Sequence, residues 1–422
     1  MAEPSPALAR QILQRVGEIG QPPEVGLEFL NVGNDGLLAV LEEEYLVPIA
    51  ETGRGSSFKL VQAYFGGGKT HFLMCVRERA WKRGFCSAVV GLSPDECPFD
   101  DPLRTYQAVA RELAWAPVDP LVPPARGIEH ALRTALEERV EQLGRDGLRR
   151  WLNHDLRRLP VDSPSFRSAV VALLTAMLDD DIDREELAAA WLRGEPVAAT
   201  EVRDLRIRET MTKTNGFRML RSLLQVLQGL GAPGTLLCFD ELDRNLSLPP
   251  RRRRAVADNL RQLIDLCGRE ALPGLLCLYA APPEFMRHVV TEYPALQQRL
   301  EGPSALSERS PQAAVIDLER LDVGAQTLLV RIGLRLLDLY RIGRDPGLDP
   351  DLQARNLAAL AEEVLAGSFE VAHRRAYVKA AVDLLHRQSQ DQRPVTREEL
   401  GDLAGHGAAV VKLHADDGFE VF

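Results

Sequence analysis

The residues from position 63 to 70, Ala63-Tyr64-Phe65-Gly66-Gly67-Gly68-Lys69-Thr70, have the composition of a phosphate cradle. They follow G-x-x-x-x-G-K-[ST] except that Ala63 stands at the first glycine. Consecutive glycines let backbone N–H groups turn inward over phosphate oxygens, and a helix starting just after them adds positive potential. In that reading Lys69 brings a point charge to the β- and γ-phosphates and the Thr70 hydroxyl ligates Mg²⁺. Phe65, Gly66, Gly67, Gly68 and His71 line the expected site, and Ala63 must adopt a backbone that a non-glycine residue tolerates. The expected ligands are ATP and Mg²⁺. The competing reading is a flexible glycine turn before Lys-Thr, and the apolar strand before the turn and the helix after it argue against that.

A second stretch, Leu236-Leu237-Cys238-Phe239-Asp240-Glu241, is four apolar residues followed by two carboxylates. A buried strand with acids only at its carboxyl end delivers them to the crevice where parallel sheets bind ligands. Asp240 is the expected partner of Mg²⁺, and Glu241 is placed to polarise an attacking water as a general base. Alone, such a run is as often a chance strand ending in an acidic turn. Joined to the loop it is a strong signal, because P-loop proteins with this acidic pair are usually hydrolases of the additional-strand class, with a further strand between the two motifs. Asp243 and Arg244 follow at once, suited either to a neighbouring subunit or DNA, or to a solvated helix cap.

Three arginine positions invite roles that the spacing leaves open. Arg299, in Pro294–Leu300, could act in trans on a neighbour's γ-phosphate, which would require a homo-oligomer, or be a surface residue of a helix. Arg374 and Arg375 are candidates for a lid that folds over the nucleotide. Arg251-Arg252-Arg253-Arg254 heads a helix, where positive charge opposes the helix dipole, so the run suits either an anionic partner such as double-stranded DNA or a solvated face. The apolar strand over residues 274–280 ends in Ala280-Ala281 where a polar γ-phosphate sensor would stand. That sensor is absent or displaced onto Glu284.

The elements that must hold these groups are those of an α/β chain. Strands are predicted over 58–62, 85–92, 235–239 and 274–280, with an edge strand at 315–318. Helices over 70–82 and 251–267 give the strand–helix–strand units of a parallel sheet. Residues 7–18 and 34–46 read as helices, the second opened by Asn34. Residues 104–230 read as helical, broken at 117–124, 160–164 and 194–196, and everything beyond Leu321 reads as amphipathic helix, interrupted near Asp345-Pro346 and Gly367. The expected organisation is an N-terminal helical segment (1–50), a P-loop NTPase core of AAA+ or additional-strand type (51–320) with a helical insertion over about 104–214, and a C-terminal helical lid (321–422).

Bulk composition limits the alternatives. The chain has 422 residues, 45% apolar and 27% charged, which suits packed globular domains. No run is long and apolar enough to span a membrane. The start, Met1-Ala2-Glu3-Pro4, lacks the features of a secretory leader. The six cysteines show no C-x-x-C and the eight histidines do not cluster with them, which argues against structural zinc and for a reducing cytoplasm. A net charge of −10 means that any polyanion would be met locally, not by the whole surface.

Several stretches together resemble the ATP-binding proteins of bacterial BREX-type phage-defence systems. They are Pro22-Pro23 through Phe29-Leu30-Asn31-Val32-Gly33, Tyr64 to Leu73, Leu92-Ser93-Pro94, Phe239-Asp240-Glu241-Leu242, Arg252–Asp265, Leu272–Phe285 and Pro294–Leu300. The resemblance covers roughly residues 20–420; that family usually has glycine where Ala63 stands. It implies a P-loop fold distantly similar to origin-recognition-type AAA+ ATPases, with DNA and a helicase or other defence subunit as partners. Two readings result: an ATP-hydrolysing motor or switch on DNA, or an ATP-dependent scaffold or signalling adaptor with little or no hydrolysis.

Overall fold

Proline decides where many of the helices begin. In the computed structural model, which describes residues 3–240, 248–320, 323–367 and 373–416, seven helices open on a proline. The absent N–H is one that the first helical turn leaves unbonded in any case. Four of these starts are also capped: the side chains of Ser5, Asp101, Ser163 and Asp349 accept backbone N–H groups of the first turn.

Helix α1 (Pro6–Ile19) is followed by α2 (Asp35–Leu41), a π-type turn (Glu42–Leu46) and α3 (Val47–Thr52). Next come β1 (Ser56–Gln62), α4 (Lys69–Trp81), β2 (Cys86–Gly91) and α5 (Pro102–Glu112). The insertion continues through α6 (Ile128–His154), α7 (Pro164–Asp179) and α8 (Ile182–Leu192) to α9 (Gly216–Gly229). The chain then re-enters the sheet with β3 (Thr235–Asp240), α10 (Pro250–Gly268), β4 (Leu275–Ala281), α11 (Pro283–Phe285), α12 (Pro294–Leu300) and β5 (Val315–Asp317). It ends in α13 (Ala325–Gly343), α14 (Pro350–Ala366), α15 (His373–Gln388) and α16 (Arg397–Asp416).

The five strands are all parallel, in the order β2-β3-β4-β1-β5. Strand β4 pairs with β1 on one side and β3 on the other, so it separates the strand that enters the glycine loop from the strand that ends in Asp240. Because side chains alternate along a strand, the continuous apolar runs split between two layers. Leu237, Phe239, Cys277 and Tyr279 face one core, shared with α5 to α10. Leu236, Cys238, Leu276 and Leu278 face the other, shared with Phe72, Leu73 and Val76 of α4 and Leu38 and Leu41 of α2. Burial on both faces is why these strands read as unbroken apolar stretches.

The structure differs from expectation at the N-terminus. The helical stretch over 34–46 continues to Thr52 and ends where Gly53 takes the left-handed conformation (φ 63°). Pro48 has no N–H to give Glu44, and the π-type turn just before it accommodates that lost bond. The segment 1–50 is also shared between two cores. Ile12, Leu13 and Val16 of α1 pack with Leu336, Tyr340, Leu357 and Ala381 of the C-terminal helices, while α2 and α3 pack on the sheet. Within the insertion, α6 breaks at Gly144 (φ 68°). Beyond Leu321, α15 and α16 are divided at Asp391–Pro394, a break not anticipated.

All six cysteines are buried thiols, and burial raises each of them, Cys97 and Cys267 to about 12. No helix among the described residues is long and apolar enough to cross a membrane.

Candidate functional site

The loop after β1 closes on itself in the way its glycines permit. Gly66 (φ 72°) and Gly68 (φ 92°) occupy the left-handed region that side chains disfavour. Gly67 is needed for a different reason: a Cβ there would lie 2.9 Å from Ala63 Cβ and 3.0 Å from the Tyr64 carbonyl oxygen. Ala63 is fully buried and is not among the residues with positive φ, so the missing first glycine costs the loop no strain. Its N–H donates to the Ala281 carbonyl (3.3 Å), which ties the root of the loop to the end of β4.

Lys69 opens α4 and is buried, and its Nζ donates to the carbonyl oxygens of Ala63 (2.9 Å) and Tyr64 (3.1 Å). The loop thus wraps its own ammonium, fixing the charge beside N–H groups that are the natural partners of phosphate. Thr70 Oγ1 donates to Asp240 Oδ2 at 2.5 Å. The strand ladder continues to this point, since Gly91 of β2 pairs with Asp240 and Leu92 N–H donates to its carbonyl oxygen (2.8 Å). A hydroxyl and a carboxylate at hydrogen-bonding distance are hard oxygen donors suited to Mg²⁺, and the cradle that a Cβ would fill suits phosphate. The residues present fit ATP·Mg²⁺.

The C-terminal helices also reach the loop. Arg374, near the start of α15, donates Nη1 to the Gly67 carbonyl and Nη2 to the Leu318 carbonyl (3.1 Å). Burial lowers its pKa, opposed by the charge of Glu319. Arg375 lies over the Phe65 ring (5.4 Å to the centroid). His71 Nε2 is 3.4 Å from Cys75 Sγ, and burial, with the positive charge of Arg374, pushes the imidazole down to about 4, so it is neutral at pH 7.

Of the residues singled out in the sequence, Ala63, Phe65, Gly66, Gly67, Gly68, Lys69, Thr70, His71 and Asp240 therefore converge at the carboxyl ends of β1 and β3. Glu241, with Asp243 and Arg244, lies outside the described residues. Arg299 stands on α12 and is ion-paired with Asp265 of α10 (2.5 Å). Of the basic run, Arg252 is held by Asp100 (2.7 Å) at the root of α5, and Arg254 lies over Tyr293. Ala280 and Ala281 are fully buried at the end of β4.

One residue escaped sequence reasoning. Glu319 accepts the Tyr64 N–H (3.1 Å), and its carboxylate faces Gly67. It stands just past β5, the other neighbour of β1, and the rule that ligands gather at carboxyl ends would have directed attention there.

Over residues 5–403 the sequence matches the family model described as BREX system ATP-binding protein BrxC/D. Compared with curated proteins, the sequence finds no match. A match of that extent, over a fold and a loop of this geometry, makes the chain a member of the BREX system ATP-binding protein BrxC/D family.

Proposed function

We propose that the chain binds ATP·Mg²⁺ and hydrolyses ATP as a P-loop enzyme of the additional-strand, AAA+-like class, acting with DNA and partner subunits of helicase type in bacterial defence against phage. Family membership supports ATP binding and the defence setting. The observation that carries the chemistry is the 2.5 Å hydrogen bond from Thr70 to Asp240. It joins the end of the glycine loop to the acidic end of β3, and Lys69 is fixed beside it. The position of β4 between these strands supports the additional-strand class.

In this reading Lys69 and the loop N–H groups hold the β- and γ-phosphates, and Thr70 and Asp240 hold the metal. Mg²⁺, when bound, supplies charge neutralisation on the phosphate oxygens. Glu241, next in sequence to Asp240, takes the proton of the attacking water. Arg374, already on the Gly67 carbonyl, is the lid arginine within closest reach of the cradle, with Arg375 behind it on Phe65. A trans role for Arg299 in a homo-oligomer would require it to leave Asp265. Arg251 and Arg253 beside the tethered Arg252 are the candidates for DNA phosphates.

The test is steady-state ATP hydrolysis with and without double-stranded DNA, paired with the variant Glu241→Gln. That variant should keep ATP affinity and lose at least about 100-fold in turnover, the usual scale for a general base. Parent-like turnover would remove Glu241 from the role. A second reading, an ATP-dependent scaffold with negligible hydrolysis, is favoured by the apolar Ala280-Ala281 end of β4. A flat, negligible rate that DNA does not raise would select it.

A further inference from the structure

Two charged side chains that follow β5 grip the glycine loop from outside, and the phosphate chemistry uses only one of them. Tyr64 to Gly67 is a tight turn, closed by the Gly67 N–H on the Tyr64 carbonyl (3.0 Å). Gly66 stands at its third position, where a φ of 72° asks for glycine. Glu319 holds the first residue of the turn, its carboxylate accepting the Tyr64 N–H (3.1 Å). Arg374 holds the last, donating Nη1 to the Gly67 carbonyl. Its Nη2 donates to the Leu318 carbonyl (3.1 Å), and Leu318 is joined to Glu319 by the chain itself. The contacts close a ring that runs from Glu319 through Tyr64, Gly67, Arg374 and Leu318 back to Glu319. Phe65, in the middle of the turn, packs on Ala376 and lies beneath Arg375.

The ring is anchored to the sheet. Leu318 N–H donates to the Gln62 carbonyl (2.9 Å) at the end of β1, and Glu319 N–H donates to Asp317 Oδ1 (3.0 Å). A carboxylate in this place has the wrong sign for an anion site, since it repels the phosphates that Lys69 attracts. Arg374, at the other end of the same turn, offsets that charge, and Glu319 in return favours the charged form of Arg374 against burial. What the carboxylate adds is direction. The Tyr64 carbonyl already accepts from Lys69 Nζ and the Gly67 N–H, so holding the Tyr64 N–H as well fixes the peptide planes on both sides of that residue. A glycine turn ordered before its ligand arrives loses less conformational freedom on binding.

We propose that Glu319 is a positioning residue of the phosphate site, holding Tyr64 so that the ring keeps the glycine loop in the shape phosphate requires. It acts through the loop and touches neither nucleotide nor metal. The sign of its effect is what distinguishes this role. Taking a negative charge away from an anion site tightens binding if charge is all that matters. Taking away a brace loosens binding instead. Glu319 is exposed, so the effect is that of one net hydrogen bond and no more. This inference rests on the ATP-binding reading, and the test separates the two.

Calorimetric titration of the full chain with Mg²⁺ uses two ligands that ATP hydrolysis does not consume, ADP and inorganic pyrophosphate. Glu319→Ala should weaken both by about fivefold, the scale of one net hydrogen bond. Glu319→Gln keeps an acceptor oxygen without the charge, and should bind both within about twofold of the parent, or tighter. With Arg374→Ala already in place the ring is open, so Glu319→Ala should then cost less than about twofold. The thermal unfolding midpoints of the two Glu319 variants should match the parent's. Glu319→Ala binding as tightly as the parent, or more tightly, would overturn the proposal and leave the carboxylate a repulsive charge only. Glu319→Gln as weak as Glu319→Ala would overturn it too, because the acceptor would then not be what matters. The full fivefold loss in the Arg374→Ala background would break the ring, and a midpoint that fell in step with affinity would show a structural role. Failure of the parent chain to bind either ligand would remove the nucleotide reading itself and this inference with it.

Discussion

Lys59 and Lys69 lie on either side of the point where β1 becomes the glycine loop; both are buried, and they mean different things. Lys59 sits in mid-strand, donating to Tyr45 Oη (2.6 Å) and the Ala313 carbonyl (2.8 Å), its ammonium 4.3 Å from the centre of the Tyr45 ring. It fastens β1 to the π-type turn and to the approach to β5. Lys69 also donates to neutral oxygens, but these belong to the loop that it closes. Burial and satisfied hydrogen bonds are common to both. What differs is position relative to β1: Lys59, in mid-strand, points into a packed layer, and Lys69, at the start of α4 beyond the carboxyl end of the strand, borders the ligand crevice.

The largest expected effect tests that distinction directly. Lys69→Ala should weaken ATP binding at least about 30-fold, because it removes the charge facing the phosphates, while the thermal unfolding midpoint moves little. Lys59→Met should do the reverse, changing stability and leaving ATP affinity within about twofold, on the additivity expected of separate sites. Isothermal titration of both variants decides the matter. Equal loss of ATP in the two would mean that mid-strand and strand-end lysines act as one unit.

Next in size is the metal pair. Asp240→Asn should reduce the gain in ATP affinity on adding Mg²⁺ by about tenfold, since it removes a charge-assisted oxygen donor. Binding measured with Mg²⁺ and with a chelator reads this out, and an unchanged Mg²⁺ effect would take Asp240 out of the metal site. Arg374→Ala should have a smaller effect, about fivefold on the preference for ATP over ADP, the scale of a partly solvated charge contact. An unchanged ratio would confine Arg374 to its contacts with Gly67 and Leu318.

The loop, the acidic strand end and all five strands were legible because each depends on local chemistry: glycines for a turn, an apolar run for a two-faced strand, a carboxylate only at its end. Ala63 was the one departure, and the buried alanine at normal φ shows that the position asks for small size more than for glycine. Contacts that join distant segments had no local signature. Nothing near Glu319 in sequence announces Tyr64, and nothing in α1 announces that its apolar stripe belongs to α13 and α15. Asn34 was read as a helix cap, yet it makes no capping bond with its side chain. Its amide is committed to Asn31 instead, a choice set by Asp35.

The last test isolates Lys59, and it reads a difference of unfolding midpoints instead of an affinity. Burial pushes its pKa down from the ordinary lysine value to about 8. Between pH 8 and the ordinary value the unfolded chain therefore binds more protons than the folded one, and stability rises with pH across that window. The gain, integrated, is at most about 3 kcal/mol at one pKa unit per 1.36 kcal/mol. Other groups act in the same range with the opposite sign. The buried cysteines stay protonated when folded and titrate when unfolded, so they lower stability as pH rises. The Tyr45 phenol, raised by burial, likewise stays neutral in the folded protein. The cysteine contributions are common to the parent and to Lys59→Met, so the difference between their unfolding midpoints removes most of them, while Tyr45, which touches Lys59, is read as part of the same pair. That difference should shift in favour of the parent from pH 7.5 to pH 10. A difference that stays flat would mean that the mid-strand ammonium titrates as an exposed one does, and the contrast with Lys69 would then have to rest on geometry alone.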